Sequence, residues 1–429
     1  MTIDADIAER VRARDQQGAF LGQLLSMSRN QSADVHEDFI KRLSAIAANL
    51  RKLFENEGLI ERFGNSSKDY WNRVRGRKVS FVDGGVARID IPSSAPMGIR
   101  VGTYTVRLGD ESADRESFNT ALALVDDLYS ASAWTYDDAF EDTQKLTDAA
   151  RIIGEASAAL RQLEDDKNTD AIYLHGPLIN PVAPYGTPGF PSYTTAAASL
   201  LLKGFEQVDD ERQRHFVVLY RKVLEHLASS SRPSFGVVER SISTRPTVIH
   251  AQLDRLQERN TLSPDDAHQI RTTLEEYRLS DPTVLSVMLA PGEYCVPVTV
   301  RRQEPSNKWP QEWYSEIKAY PNPSTTYIKS SDDSEPFRVE MHHAEHRDDW
   351  SLEMVYQTAR LLPTYGFPVG LDIVDKFAKV PNWMSRNVRR EHAAALLRNA
   401  LRSGDPRMVD YAKKVLIARG RDWLFRPKA

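Results

Sequence analysis

The chain of 429 residues contains a single cysteine, Cys295, and no apolar run approaching the roughly 20 residues that a membrane-spanning helix requires. One cysteine excludes an intrachain disulfide and leaves no cysteine pair at metal-binding spacing, so we expect a small buried apolar residue at this position. The N-terminus, Met-Thr-Ile-Asp-Ala-Asp, is acidic where a signal peptide would be basic. We therefore expect a cytoplasmic protein that does not bind a membrane.

Three common sequence motifs are also missing. The chain has no Gly-x-x-x-x-Gly-Lys-Ser/Thr and no Gly-x-Gly-x-x-Gly, so neither a P-loop nor a dinucleotide fingerprint supports nucleotide binding. It has no Gly-x-Ser-x-Gly, so nothing specific supports a serine nucleophile. A protein of this kind has no ATPase motif with which to power its own movement along a polymer.

The charge is distributed unevenly. The formal net charge is −4, yet the segment from Arg386 to Lys428 carries twelve Lys or Arg against four Asp or Glu, a net +8. A basic end on an acidic protein can hold phosphates or an acidic partner, and a solvated helical surface explains it equally well. With 41% hydrophobic and 27% charged residues, the composition is that of a globular protein.

The hydrophobic pattern alternates between helical and extended spacing. Helical spacing occupies residues 5–60, and a Pro-, Gly- and Tyr-rich loop is expected at 181–195. Strands are predicted at 78–108, 171–174, 235–239, 294–302, 312–319 and 336–341, and further helices at 142–163, 196–229, 246–278, 350–360, 370–379 and 388–418. Strands and helices mixed in this order predict an α/β core sheet with helical additions.

The segment Lys78-Val-Ser-Phe-Val-Asp-Gly-Gly85 is the most informative one. Its β-branched and aromatic residues predict a buried strand that ends at Asp83. The glycine pair permits a tight exit with positive φ and a close approach of another group to the backbone. A carboxylate on such a support suits a hard divalent metal ion, although an ordinary glycine-rich turn has the same sequence.

Other polar side chains lie at or near the ends of predicted elements. Glu155 lies within a helix, His175 follows the strand 172–174, and Asp375 lies in the helix after Tyr365-Gly-Phe-Pro-Val-Gly370. Together with residues 81–88 and 236–241, these segments resemble the ordered motifs of the NurA nucleases over roughly residues 75–385. The resemblance implies an α/β, ribonuclease-H-like mixed sheet and a manganese-dependent nuclease that acts on DNA ends.

Position by position, the resemblance assigns the catalytic and metal-binding roles to Asp83, Glu155, His175 and Asp375, with Glu164 as a competitor of Glu155. It implies Mn²⁺, with Mg²⁺ as the alternative. Asp83 would bridge the ions and the other three would be outer ligands. His175 could instead donate a proton to the leaving oxygen. Clustered carboxylates with one imidazole suit such an ion, which activates water and neutralises phosphate charge.

Several residues depart from the family pattern. His175 stands where the family has Asp, and Asp375 stands where it commonly has His, which resembles an exchange of ligand types. Phe367 replaces a tyrosine, and Glu239 stands where the family often has a lysine. An altered, non-catalytic subunit that binds DNA and regulates a partner translocase therefore remains the alternative to an active nuclease. A different metal-dependent phosphohydrolase is a third reading.

The family also implies partners and a division of the chain. We predict an N-terminal helical region (1–70), a NurA-like nuclease domain (71–385, with helical insertions at about 196–280) and a basic C-terminal helical region (386–429). The resemblance implies DNA ends and single strands as substrates, a HerA-like hexameric ATPase as partner, and a homodimer. The pathway would be DNA repair or defence against foreign DNA, including phage.

Two further clusters have candidate roles. Residues 340–346 (Glu-Met-His-His-Ala-Glu-His) contain metal-ligand types, although a solvated turn after a strand is the simpler interpretation. Four aromatic residues lie close to two lysines and could stack bases of a single strand, but half-buried strand residues are favoured: Trp309, Trp313, Tyr314 and Tyr320.

Overall fold

The computed structural model describes residues 39–64, 66–88, 97–129, 143–165, 169–202, 210–239, 246–300, 310–342, 349–362 and 364–418. Predictions for the first 38 residues, for Trp309 and for positions 343–346 lie outside these ranges. Within them, no helix combines the length and apolar character that crossing a bilayer demands. The three-part division of the chain stays a prediction.

Ten strands and fourteen α-helices make up the described part of the chain. The strands are β1 (Ile60–Arg62), β2 (Lys78–Arg88), β3 (Met97–Arg107), β4 (Glu116–Leu124), β5 (Thr169–His175), β6 (Ser234–Val238), β7 (Glu293–Cys295), β8 (Val298–Thr299), β9 (Ser324–Ile328) and β10 (Phe337–Met341). The helices are α1 (39–56), α2 (Ser67–Arg73), α3 (Val125–Leu128), α4 (Thr143–Asp165), α5 (Thr195–Leu201), α6 (Phe216–Ser229), α7 (Val248–Glu258), α8 (Pro264–Glu276), α9 (Asp281–Met288), α10 (Tyr314–Lys318), α11 (Asp349–Ala359), α12 (Val369–Ala378), α13 (Asn382–Ser403) and α14 (Pro406–Ala418).

All the strands belong to one mixed sheet of order β1-β7-β9-β10-β6-β5-β2-β3-β4, with β8 paired to β9. Strands β2, β3 and β4 form an antiparallel meander, and β5 and β6 add to β2 in parallel. This order of five strands, the third, second, first, fourth and fifth along the chain, is the ribonuclease-H-like arrangement. The α/β class and the ribonuclease-H-like sheet are therefore both confirmed.

The centre of the sheet is buried on both faces because helices cover each of them. Val82, Ile172 and Leu174 pack with α4 and α6 on one face. Phe81 and Tyr173, whose rings stack at 5.3 Å, pack with α11 and α12 on the other. Alternate residues of β2 and β5 thus face different cores, as strand geometry requires. Cys295 is buried in a third cluster beside α7 and α9, as expected.

Some predicted boundaries are wrong. Residues 312–319 were expected as a strand, but they form a short helical segment that includes α10, and the nearby strand is β9. A single predicted helix over 246–278 is two helices, since Ser263 caps α8 and Pro264 occupies its first turn. The predicted helix 388–418 breaks at Gly404, which adopts φ 69° beyond the end of α13.

Candidate active site

Asp83 and His175 meet because their strands are parallel neighbours. Val82 pairs with Leu174 in the β2–β5 register, so the next residue of each strand lies side by side on one face. The imidazole Nδ1 of His175 lies 3.2 Å from Oδ2 of Asp83, and Oδ1 of Asp83 accepts the Gly84 N–H at 2.8 Å. The prediction that the strand ends at Asp83 is wrong, because β2 continues to Arg88.

Asp375 reaches the same face from α12. Together with Asp83 and His175 it offers three ligand atoms that lie within 4.8 Å of one another, which is close enough to share one metal ion. The helix is held near the strand because Gly370 lies directly against the Phe81 ring. Phe367 is buried beside His175, with ring centroids 5.4 Å apart. Two carboxylates and one imidazole are donors that fit Mn²⁺.

The two glycines after Asp83 act through close approach, not through a turn. Neither adopts positive φ, because both lie inside β2. A Cβ at Gly84 would lie 2.4 Å from Glu155 Oε1, and a Cβ at Gly85 would lie 2.1 Å from the backbone oxygen of Ala378. Each glycine therefore admits a different helix: α4 at Gly84 and the end of α12 at Gly85.

Glu155 approaches from the face opposite to Asp83. It lies on α4, is buried, and pairs with Arg151 Nη1 at 2.5 Å one turn earlier. Burial, together with the negative charge of Asp83, raises the pKa of Glu155 to about 7, although the Arg151 charge opposes this shift. The competing Glu164 is exposed, and nine residues of helix place it about 13 Å along the axis. Glu155 is thus adjacent to the three-ligand group without belonging to it.

Opposing effects act on the imidazole. Burial lowers the pKa of His175, but the hydrogen bond and charge of Asp83 and the charges of Asp375 and Glu239 outweigh it, so the net pKa is raised. Lys379 forms an ion pair with Asp375 one turn along α12, and this contact raises the lysine pKa. The Asp375 and Glu155 carboxylates are thus each paired with a cation.

Tyr365 and Glu239 lie at the rim of the site. The Tyr365 hydroxyl is hydrogen-bonded to Glu239, and burial together with the nearby carboxylates raises its pKa to about 12. Position 367, where the resemblance leads us to expect a tyrosine, is a phenylalanine. The Tyr365 phenol lies only two residues before it.

Sequence reasoning missed three residues that contact this site: Arg151, Tyr365 and Lys379. A signal was available for two of them, because Arg151–Glu155 and Asp375–Lys379 have the i,i+4 spacing of helical ion pairs. Tyr365 had no such signal, since its contact with Glu239 depends on the folding of distant segments.

Glu340 and Trp313, one from each of the other two candidate clusters, have structural roles. Glu340 is buried on β10 and accepts the Leu178 N–H at 2.9 Å, so it anchors the segment after β5. Trp313 is enclosed between the His215 ring, at 4.1 Å, and the Arg212 guanidinium, at 4.2 Å. Buried in this way, Trp313 does not present a face for stacking a base.

A ribonuclease-H-like sheet with a carboxylate and a histidine side by side on its first and fourth strands defines the class of this protein. A family model described as the NurA domain matches residues 77–380, about seven tenths of the chain. The chain therefore belongs to the NurA family. No curated protein sequence matches it significantly.

Solved structures to which this chain is similar include the NurA nuclease from Sulfolobus solfataricus, with 12% identity over 92% of this chain and 98% of that one and a TM-score of 0.46. NurA bound to dAMP and manganese has 11% identity over 82% of this chain and 94% of that one, with a TM-score of 0.36. The catalytic domain of human endonuclease V has 11% identity over 83% and 98%, with a TM-score of 0.30.

Proposed function

We propose that this protein is a manganese-dependent deoxyribonuclease that hydrolyses phosphodiester bonds at DNA ends. The observation that carries the proposal is the grouping of Asp83, His175 and Asp375, whose ligand atoms lie within 4.8 Å in a chain of the NurA family. Glu155 adds a carboxylate from the other face of the sheet. Mg²⁺ is the alternative ion, and the imidazole favours Mn²⁺.

The chain's own residues would position the ion and the substrate. Asp83, His175 and Asp375 would hold the ion, which lowers the pKa of a water molecule and neutralises charge on the phosphate. The Asp83 carboxylate keeps its orientation through the Gly84 N–H and the His175 ring. Arg151 holds the Glu155 carboxylate beside Gly84. His175 could alternatively act as the proton donor to the leaving oxygen.

The proposed partners follow from the family and from the charge pattern. The chain lacks a P-loop, so we propose that a HerA-like hexameric ATPase feeds DNA to a homodimer of this protein. Basic residues on α13 and α14 support contact with phosphates or with an acidic partner, among them the exposed Arg386, Arg398, Lys413 and Lys414. The pathway would be end resection in DNA repair or defence against foreign DNA.

A digestion assay tests the proposal. Linear and plasmid DNA are incubated with Mn²⁺, Mg²⁺ or EDTA, with and without a HerA-like ATPase, and with wild type, Asp83→Ala or Asp372→Ala. Asp372 is a matched control because it lies on α12, pairs with a lysine and is outside the ligand group. We expect cleavage with Mn²⁺ for wild type and Asp372→Ala and a loss of at least about 100-fold for Asp83→Ala. No metal-dependent cleavage under any condition would reject the nuclease proposal.

The departures at His175, Phe367 and Glu239 favour one rival, a NurA-like subunit that binds DNA and regulates the ATPase without cutting. The rival predicts DNA binding and an altered ATPase rate, with no cleavage in Mn²⁺. A phosphohydrolase with another substrate would instead cut RNA or nucleotides and leave DNA intact. The same assay with these substrates separates the three possibilities.

A further inference from the structure

Lys379 connects the end of α12 to the candidate metal site. Its backbone N–H caps the helix by donating to the Asp375 carbonyl at 2.9 Å. Its Nζ forms an ion pair with Asp375 Oδ2, one of the carboxylates of the three-ligand group. A divalent ion that takes Oδ2 of Asp375 as its ligand therefore competes with this lysine.

The backbone of Lys379 is fixed although its side chain is exposed. A Cβ at Gly85 would lie 3.1 Å from Lys379 Cα and 2.1 Å from the preceding carbonyl, so this part of the chain is pressed against β2 two residues from Asp83. The lysine side chain itself is 69% exposed. A fixed Cα with a long exposed side chain lets the ammonium change partners without moving the fold.

A second ion pair on the same helix provides an internal comparison. Lys376 and Asp372 have the same i,i+4 spacing as Lys379 and Asp375. The two lysine side chains are 68% and 69% exposed, and the two aspartate side chains are 21% and 22% exposed. Only Asp375 belongs to the ligand group.

The energy of such a pair is small. An exposed ion pair changes an equilibrium constant by at most about fivefold, so a divalent ion held by several ligands displaces the lysine readily. A DNA phosphate beside these carboxylates gains from a second cation in addition to the ion, and Arg151 is paired with Glu155 on the other face. A Lys379 ammonium released from Asp375 would stay on the face of the sheet that carries the ligands, because the Lys379 backbone packs against Gly85.

We propose that Lys379 alternates between two partners: it pairs with Asp375 in the metal-free protein and binds a phosphate of the DNA strand when a divalent ion takes Asp375. This proposal rests on the proposed nuclease function and adds a substrate-binding residue to it. It makes metal binding and DNA binding mutually supportive, since the ion frees the cation that the phosphate requires.

Calorimetry with Mn²⁺ alone tests the first half. We compare wild type with Lys379→Ala, Lys379→Arg and the control Lys376→Ala, after checking each melting temperature. Removing the competing cation should tighten Mn²⁺ binding about two- to fivefold in Lys379→Ala. Lys379→Arg and Lys376→Ala should stay within twofold of wild type. Equal Mn²⁺ affinities for Lys379→Ala and Lys376→Ala would overturn the proposal.

Fluorescence anisotropy with a single-stranded oligonucleotide tests the second half. Ca²⁺, a hard cation of equal charge, replaces Mn²⁺, and a gel verifies that the strand stays intact. With Ca²⁺, Lys379→Ala should bind DNA about three- to tenfold more weakly, with a salt slope lower by about 0.7, and Lys379→Arg should restore both. Without the ion, the variant should match wild type. A merely structural lysine would weaken binding equally in both conditions, and that result contradicts the proposal.

The two proposals fail in different ways. If wild type binds Mn²⁺ and cuts DNA but Lys379→Ala behaves as Lys376→Ala does, the role of Lys379 is wrong and the nuclease function stands. If wild type neither binds Mn²⁺ nor cuts DNA, the nuclease function is wrong and the role of Lys379 falls with it.

Discussion

Replacing Gly84 with alanine should disable the site at a moderate cost in stability. The added Cβ would lie 2.4 Å from Glu155 Oε1, whereas ordinary contacts begin near 3.4 Å, so the carboxylate must retreat by about 1 Å. The added Cβ would also lie 2.9 Å from Glu155 Cγ and from Arg151 Cγ, which are nearer to the backbone of α4, so we expect a stability loss of about 1–3 kcal/mol. Misplacement of a positioned group by about 1 Å can cost roughly 100-fold in rate, so DNA cleavage should fall by about that factor.

Alanine at the neighbouring Gly85 should cost more stability than alanine at Gly84. A Cβ at Gly85 would lie 2.1 Å from the backbone oxygen of Ala378, and a backbone atom at the end of α12 cannot move without shifting the helix. Gly85→Ala should therefore lower the free energy of unfolding by about 3 kcal/mol or more. Asp375 and Lys379 are carried by the same segment, so the site should be lost as well.

Urea denaturation followed by tryptophan fluorescence measures the stability, and calorimetry with Mn²⁺ measures the site. Gly98→Ala is the control in the adjacent strand, because a Cβ there meets only the Ala87 side chain at 3.6 Å. We expect the order of stability to be Gly98→Ala, Gly84→Ala, Gly85→Ala, from highest to lowest. The reasoning fails if Gly84→Ala cuts DNA at the wild-type rate or if Gly85→Ala is as stable as the control.

Three further predictions concern the ligand set and the fold. Asp375→Asn should weaken Mn²⁺ binding at least tenfold by calorimetry, and Asp372→Asn should not, since only the former is in the ligand group; equal effects would contradict the assignment. The double variant His175→Asp with Asp375→His, which exchanges the two ligands, should bind Mn²⁺ more tightly than either single variant does. A double variant with no higher Mn²⁺ affinity than the single variants would exclude a shared ion. The buried Glu293 accepts hydrogen bonds from Arg51 and Arg62, which outweigh its burial and lower its pKa to about 2. Its stabilisation is present above the ordinary pKa of about 4.5 and is lost as the pH falls towards 2, and it amounts to at most about 3 kcal/mol. Glu293→Gln should thus be less stable than wild type at pH 7, and the gap in urea denaturation should narrow below about pH 4.5; a constant gap refutes the linkage.

The local pattern predicted the parts of this site that depend on strand geometry. The β-branched and aromatic residues before Asp83 and before His175 indicated two buried strands, and parallel pairing then places both side chains on one face. The sequence could not reveal that β2 continues past Asp83, because an Asp-Gly-Gly run is common in turns. Only the helices packed at Gly84 and Gly85 explain why a strand tolerates two glycines.

The side of the sheet from which Glu155 approaches could not be predicted either. Whether a residue of an amphipathic helix belongs to the core or can be a ligand depends on where that helix packs. Helix α4 packs on the face opposite to Asp83. The long-range contact between Tyr365 and Glu239 depends likewise on segments more than a hundred residues apart. Such contacts are tertiary, and no periodicity encodes them.

The departures from the family pattern become consistent once the distances are considered. His175 at the end of β5 and Asp375 on α12 come from segments 200 residues apart, yet their ligand atoms lie within 4.8 Å of each other and of Asp83. A metal ion responds to the types and positions of its donor atoms, and the order of the donors along the chain has no effect on it. Exchanging histidine and aspartate between two positions that face the same point preserves one imidazole and two carboxylates around it. The exchange therefore does not by itself imply a damaged site, and the active nuclease remains the simpler proposal than an inactive subunit.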